Sequence, residues 1–325
     1  MSRAVRAFRA MGTTCEVTID AVAGADVLAD LAVQRVAMLE DCWSRFRPTS
    51  ELSRLNDQAG TGPVRVSEDL RCLVERMYQA WQRTQGLCDP SVLNAIRMSG
   101  YDADFGEVMA RGVAELGPAS LIAPASLIGT IPRPTPGMSD IAINGNTVAL
   151  PAGVGLDPGA IGKGLGADLI AEEMMAAGAL GVMVNLGGDI RFAGFPGEDP
   201  AWVVSVVDER IDVAVDDRTL RWVSFDPGTS GAVATSTTLR RRWSGGPQAG
   251  IRHHIIDPMT GAVADIDLVQ ATVIADHGWW AEAAATAALL LGPQDAPAWL
   301  DAQGLSYVLL DPDHVIEPSI GATHG

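Results

Sequence analysis

Four things are scarce in this sequence, and each scarcity closes off a class of protein. Cysteine occurs only at Cys15, Cys42, Cys72 and Cys88, with no Cys-x-x-Cys pair. That spacing is a poor zinc framework and a weak disulfide framework. Basic residues are few: 23 Lys+Arg stand against 40 Asp+Glu, a net charge of −17 over 325 residues. A general nucleic-acid binder needs a basic face, and an anionic membrane surface repels an acidic chain. No apolar run reaches the roughly 18 residues of a membrane span. Arg3, Arg6 and Arg9 also interrupt the N-terminus too often for a signal-peptide core. Finally, neither G-x-x-x-x-G-K-[ST] nor G-x-G-x-x-G occurs, so the two familiar nucleotide fingerprints are missing. The expectation is a reduced, cytoplasmic protein that handles a small ligand. Apolar residues make up 47% of the chain, enough for a sizeable core.

Patterning places the elements. Cys15, Val17 and Ile19 alternate with polar residues, as in a half-buried strand, with Gly12 in a turn before them. Apolar residues at helical spacing predict a helix over 25–46, stopped by Pro48. A second is predicted to start at Ser67-Glu68-Asp69 and end near Gly86. Residues 98–137 are rich in Gly and Pro and predict irregular chain with helical turns at most. The 141–150 segment reads as a hairpin around Asn144-Gly145. Helices are predicted over about 162–177 and 279–291, and strands at 182–185, 202–207, 219–224, 231–235 and 307–310. No repeat of 20–50 residues is present. Hairpins with interspersed helices argue for an α+β fold with mixed, largely antiparallel sheets and packed helices, not a doubly wound parallel sheet.

Several segments carry chemistry. In LDPGAIGKGLGADLIAEEM (156–174), four glycines surround Lys163 just before a helix. Close backbone approach, unpaired N–H groups and one full charge make a phosphate cradle. The plainer alternative is a helix-packing turn with a surface lysine. VMVNLGGD (182–189) ends a strand in Gly187-Gly188-Asp189, either at a ligand or in a plain turn. In IRHHIIDPMTG (251–261), a strand would put His253 and His254 on opposite faces, leaving one as a general base. Glu282 and Thr286 stand four apart, on one face of a helix, and offer hard oxygen ligands for Mg²⁺ or Ca²⁺. The alternative is a solvated Glu and a Thr bonded to its own i−4 carbonyl. Arg240-Arg241-Arg242 is the one strong basic run, a phosphate attractant or a solvated loop.

In order, these segments resemble the ApbE family of FAD:protein FMN transferases. The matching pieces are Met11-Gly12-Thr13, SRFRPTSELSRLN (44–56), CDPSV (88–92), LDPGAIGKGLGADLIA (156–171), VNLGGDI (184–190), ATS (234–236), HHIIDPMTG (253–261) and ATVIADHGWWAEAAATAALLLG (271–292). The resemblance runs from about residue 8 to 310 and implies an ApbE-like, T-fold-related architecture. It also implies one flavin transferase unit over 1–325, in two structural subdomains sharing an active-site cleft. The implied reaction splits the pyrophosphate of FAD, attaches FMN through a phosphoester to a Thr or Ser hydroxyl of an acceptor flavoprotein, and releases AMP. Mg²⁺, or Mn²⁺ in its place, is the implied cofactor. Carried over residue by residue, FAD contacts fall on Met11, Phe46, Leu87, Cys88, Asp89, Asp157, Lys163 and Ile255. The metal falls to the Ala160 carbonyl with Glu282 and Thr286. Lys163 and His254 are the catalytic candidates, the second as base for the acceptor hydroxyl.

The chain departs from the family pattern at several places. Glu282 stands where the family usually has Asp, one methylene shorter. Phe46 replaces an aromatic that commonly bears a hydroxyl, and Cys88 an aromatic. Cys15 has no apolar run before it and cannot serve as a lipid anchor. Two other readings use the same residues: an FAD pyrophosphatase giving FMN and AMP, and a non-catalytic FAD-binding protein.

Overall fold

The computed structural model describes residues 1–115, 134–211, 218–244 and 251–317. The chain divides into two compact units. One comprises 1–42, 159–237 and 267–325; the other comprises 43–158 and 238–266.

The first unit is built on an eight-stranded sheet: β1 (Ser2–Ala10), β2 (Thr13–Ala21), β3 (Gly181–Leu186), β4 (Asp189–Gly194), β5 (Ser230–Thr237), β6 (Gln270–Ala275), β7 (Ser306–Leu310) and β8 (Val315–Ile316). Spatial order follows chain order, and every neighbouring pair is antiparallel. The predicted alternation on β2 is real: Cys15, Val17 and Ile19 are buried. β3 and β4 are joined by the two-residue loop Gly187-Gly188, with Leu186 opposite Asp189. Both glycines have positive φ, 74° and 99°, the conformation a tight hairpin loop demands. A Cβ on Gly187 would also come within 2.6 Å of Thr13 Oγ1. The loop therefore fixes Asp189 at the first position of β4.

Two helices pack on this sheet and on each other, Gly162–Ala176 and Gly278–Ala302. The second is lined with buried Ala281, Ala283, Ala284, Ala285, Ala287 and Ala288, whose small side chains allow close approach. It runs past the predicted end at 291, but it is broken at Gly292, where φ is 75° and ψ 178°, and Pro293 restarts it. A third helix, Ala25–Trp43, stops three residues before the predicted Phe46. No helix among the described residues is long and apolar enough to cross a membrane.

The second unit carries the helices Glu51–Asp57, Glu68–Arg83, Leu93–Met98 and Phe105–Glu115. Ser50 and Ser67 cap the first two, their hydroxyls accepting from Ser53 N at 2.9 Å and Leu70 N at 3.2 Å. The Glu68–Arg83 helix ends through Gln85, which takes the left-handed conformation (φ 53°), while Gly86 N donates to Trp81 O. The 98–137 segment is thus not irregular throughout: Phe105–Glu115 is a regular helix whose Val108 packs against Tyr101 and Trp243. Residues 116–133 lie outside the described part. The 141–150 hairpin forms as Ala142–Asn144 and Thr147–Ala149, with Gly145-Asn146 as its loop.

Candidate functional site

In the first unit, three charged groups meet where two helices begin. Lys163, in the first turn of Gly162–Ala176, contacts the Asp189 carboxylate, and its Nζ lies 3.3 Å from Glu282 Oε1. Asp189 is 1% exposed and Glu282 3%. Asp189 Oδ1 also accepts from Thr235 N on β5 at 3.3 Å. Lys163 is therefore no surface lysine, and Gly187-Gly188-Asp189 is more than a turn. Glu282 is not solvated: burial pushes its carboxyl up to about 7, against the opposing pull of Lys163. Thr286 stands one turn on, and its hydroxyl bonds Ser236 Oγ at 3.1 Å.

The two helix starts cap one another. Neither Ile161 nor His277, the residues at the cap positions, supplies a side-chain bond to its own helix. Instead Glu282 Oε2 accepts from Gly164 N at 2.8 Å, and Asp168 accepts from Gly278 N at 2.8 Å and Trp279 N at 3.0 Å. Each helix thus supplies the carboxylate that satisfies the other's orphan donors and complements its dipole. The backbones nearly touch here. A Cβ on Gly164 would lie 2.2 Å from Gly278 O, and one on Gly278 would lie 2.5 Å from Gly164 O. Glycine is required at both positions by space alone.

This donor set fits a hard divalent ion. Glu282 Oε1 is a buried carboxylate oxygen whose facing charge is Lys163 Nζ at 3.3 Å. Thr286 adds a hydroxyl, and Ala160 lies just before the helix start with its carbonyl as third candidate. The Glu282 side chain accepts from Gly164 N through one oxygen and faces Lys163 with the other. Met11 sits in the β1–β2 turn with φ 51°, its Cε among the atoms nearest Gly166.

The remaining candidates belong to the second unit. Asp157 is buried and ion-paired with Arg45 at 2.9 Å. The Arg45 guanidinium lies 4.1 Å from the Phe46 ring centroid and 4.4 Å from that of Tyr101, within cation–π reach of two adjacent rings whose centroids are 5.6 Å apart. Asp89 Oδ1 accepts from Ser91 N at 2.9 Å, and its other oxygen accepts from Thr135 Oγ1. Asp157 N donates to Pro90 O at 2.8 Å, and Thr135 N to Pro258 O at 2.8 Å, so the 89–91, 157 and 258 segments are tied together. Cys88 and Ile255 are buried, and Leu87 is half-buried.

The two histidines do not alternate across a strand. His253 ends the strand Ile251–His253 and His254 lies in the bend after it. His253 Nδ1 accepts from Ile255 N at 3.3 Å, and burial holds its pKa below the usual histidine value. His254 is half-buried. Arg240 and Arg242 are exposed at a turn, with Arg241 at φ 49°. Sequence reasoning gave no role to Asp168 or Arg45, and took Asp189 only as part of a strand end that either meets a ligand or forms a plain turn. All three lie inside quoted segments, and Asp168 and Asp189 stood out as charges on apolar or glycine-rich stretches.

A sequential antiparallel sheet, two mutually capped helices and a half-buried lysine set against two buried carboxylates define an α+β protein. The chain belongs to the ApbE family, whose model matches residues 11–309. It is 31% identical over 314 residues to the FAD:protein FMN transferase of Rhodobacter capsulatus, covering 93% of this chain and 54% of that protein. It is 26% identical to the FAD:protein FMN transferase of Vibrio cholerae, with 84% and 75% covered. The crystal structure of the ApbE protein of Thermotoga maritima superposes with a TM-score of 0.81 at 21% identity, with 98% and 97% covered. That likeness establishes the fold.

Proposed function

We propose that this chain is an FAD:protein FMN transferase. The observation that carries the reading is the buried Lys163–Asp189–Glu282 cluster at two helix starts, within a chain that belongs to the ApbE family. FAD is the substrate, and the acceptor is a flavoprotein presenting a Ser or Thr hydroxyl. Glu282, Thr286 and the Ala160 carbonyl would hold Mg²⁺, or Mn²⁺ in its place. When bound, the ion neutralises charge on the pyrophosphate oxygens. Lys163 adds a positive charge for the AMP phosphate as the bond between the two phosphates breaks. The acceptor oxygen forms the new bond to the FMN phosphorus, and His254 takes the hydroxyl proton. In the second unit, Phe46, Leu87, Cys88, Asp89, Asp157 and Ile255 receive the flavin half. Arg45 keeps Phe46 and Asp157 in place. Met11 contributes from the β1–β2 turn.

The test is incubation of the purified chain with FAD, Mg²⁺ and a flavoprotein carrying a Ser/Thr flavinylation motif. Intact-mass spectrometry should show an acceptor heavier by one phosphoester-linked FMN. Bound FAD with no adduct on any competent acceptor would overturn the reading.

A further inference from the structure

The cluster raises a question of support: what holds Glu282 and Thr286 in fixed relation to Lys163? They lie on different helices, so their mutual position depends on how the two helix starts are joined. Glu282 supplies one bond, to Gly164 N, but that is the same carboxylate whose other oxygen faces Lys163. The independent bonds are those of Asp168. Its two oxygens accept from the consecutive amides of Gly278 and Trp279. Arg191 Nε lies 3.1 Å from Asp168 Oδ1. Arg191 Nη1 in turn donates to the carbonyls of Phe192 at 3.1 Å and Gly231 at 3.0 Å, on β4 and β5. Those strands also carry Asp189, Thr235 and Ser236. Asp168 and Arg191 thus tie both helices to the strands that complete the cluster.

We infer that Asp168 is a positioning residue: anchored by Arg191, it clamps the start of the Glu282 helix onto the Lys163 helix and sets the oxygen geometry of the divalent-ion site. It touches neither ion nor substrate. The inference rests on the proposed role of Glu282 and Thr286 as ion ligands. Partners that orient metal ligands typically cost 10- to 100-fold in metal affinity when removed. Asp168→Asn keeps the shape and one acceptor oxygen but loses the second acceptor and the charge. Asp168→Ala loses all three.

The experiment measures Mn²⁺ binding to the full chain by electron paramagnetic resonance of the free ion. FAD binding in metal-free buffer is followed by flavin fluorescence, and helical content by far-ultraviolet circular dichroism. The expected result is Mn²⁺ affinity weakened about threefold in Asp168→Asn and at least about tenfold in Asp168→Ala, with FAD affinity within about twofold and helical signal unchanged. Should Asp168→Ala not fold, Asp168→Asn carries the test. Mn²⁺ affinity unchanged in a folded variant overturns the inference. So does a parallel fall in Mn²⁺ affinity, FAD affinity and helical signal, which marks a merely structural role. Failure of the proposed function is distinguishable: the wild-type chain would give no FMN adduct while its Mn²⁺ affinity still depended on Asp168.

Discussion

The two units hold their buried charges in contrasting ways. In the first, Asp168, Asp189 and Glu282 are stabilised largely by backbone N–H groups at helix starts and on β5, with Lys163 and Arg191 as countercharges. In the second, Asp89 is likewise held by an N–H and a hydroxyl, but at Asp157 a single arginine does the comparable work. Arg45 pairs Asp157, donates to Tyr101 O at 2.9 Å and lies against the adjacent rings of Phe46 and Tyr101. The first arrangement sets two buried carboxylates beside one lysine, with the Thr286 hydroxyl one turn on. The second spends its charge on internal pairing and presents rings and apolar walls. Under the proposed function, the Lys163 cluster would serve the phosphates and the ion, and the Arg45 site the flavin.

That contrast can be broken at each end. Arg45→Ala should give the largest effect. Its side chain and that of Asp157 are 4% and 5% exposed, and stripping one partner from a buried pair costs about 3–5 kcal/mol. Urea unfolding should show that loss, and Asp157→Asn added to Arg45→Met should recover part of it. A loss below about 1 kcal/mol would mean the pair is not the keystone of its unit. Glu282→Ala acts oppositely, sparing the fold more than the chemistry. The expected outcome is a fall of about 100-fold in FMN transfer, with FAD affinity in metal-free buffer retained. Equal loss of both would erase the distinction between the units.

The smallest effect is in the pH dependence of stability without divalent ions. Glu282 titrates near 7 in the fold against 4.5 as its ordinary value, so the fold binds the extra proton. Its contribution is present below pH 4.5 and is lost as pH rises toward 7. His253 is shifted the other way: its folded pKa lies below 6.5, so its contribution is present above that pH and lost as pH falls. Glu282→Gln should flatten the first slope and His253→Gln the second. Melting temperatures across pH 4.5–8 would show it.

Much of this was legible in the residues. The β2 alternation, the helix that begins around the Gly-flanked Lys163 and the helix that carries Glu282 and Thr286 four apart are local patterns, and the structure forms all three. The Asp189 contact was not legible, because it depends on a hairpin loop that sets register. Mutual capping was hidden for a stronger reason. Asp168 and Gly278 are 110 residues apart, and a helix without its own capping side chain looks uncapped until its neighbour is placed. The Phe105–Glu115 helix was lost among Gly and Pro around it, which mark turns but do not forbid a helix between them.

The central claim is that the cluster transfers FMN to a protein hydroxyl, and one ratio tests it most directly. AMP released and covalent FMN on the acceptor should be counted in the same reaction, with FAD and Mg²⁺ saturating. The account predicts one AMP per FMN attached and almost none when the acceptor is left out. AMP accumulating at the same rate without acceptor would contradict it and identify the chain as an FAD pyrophosphatase.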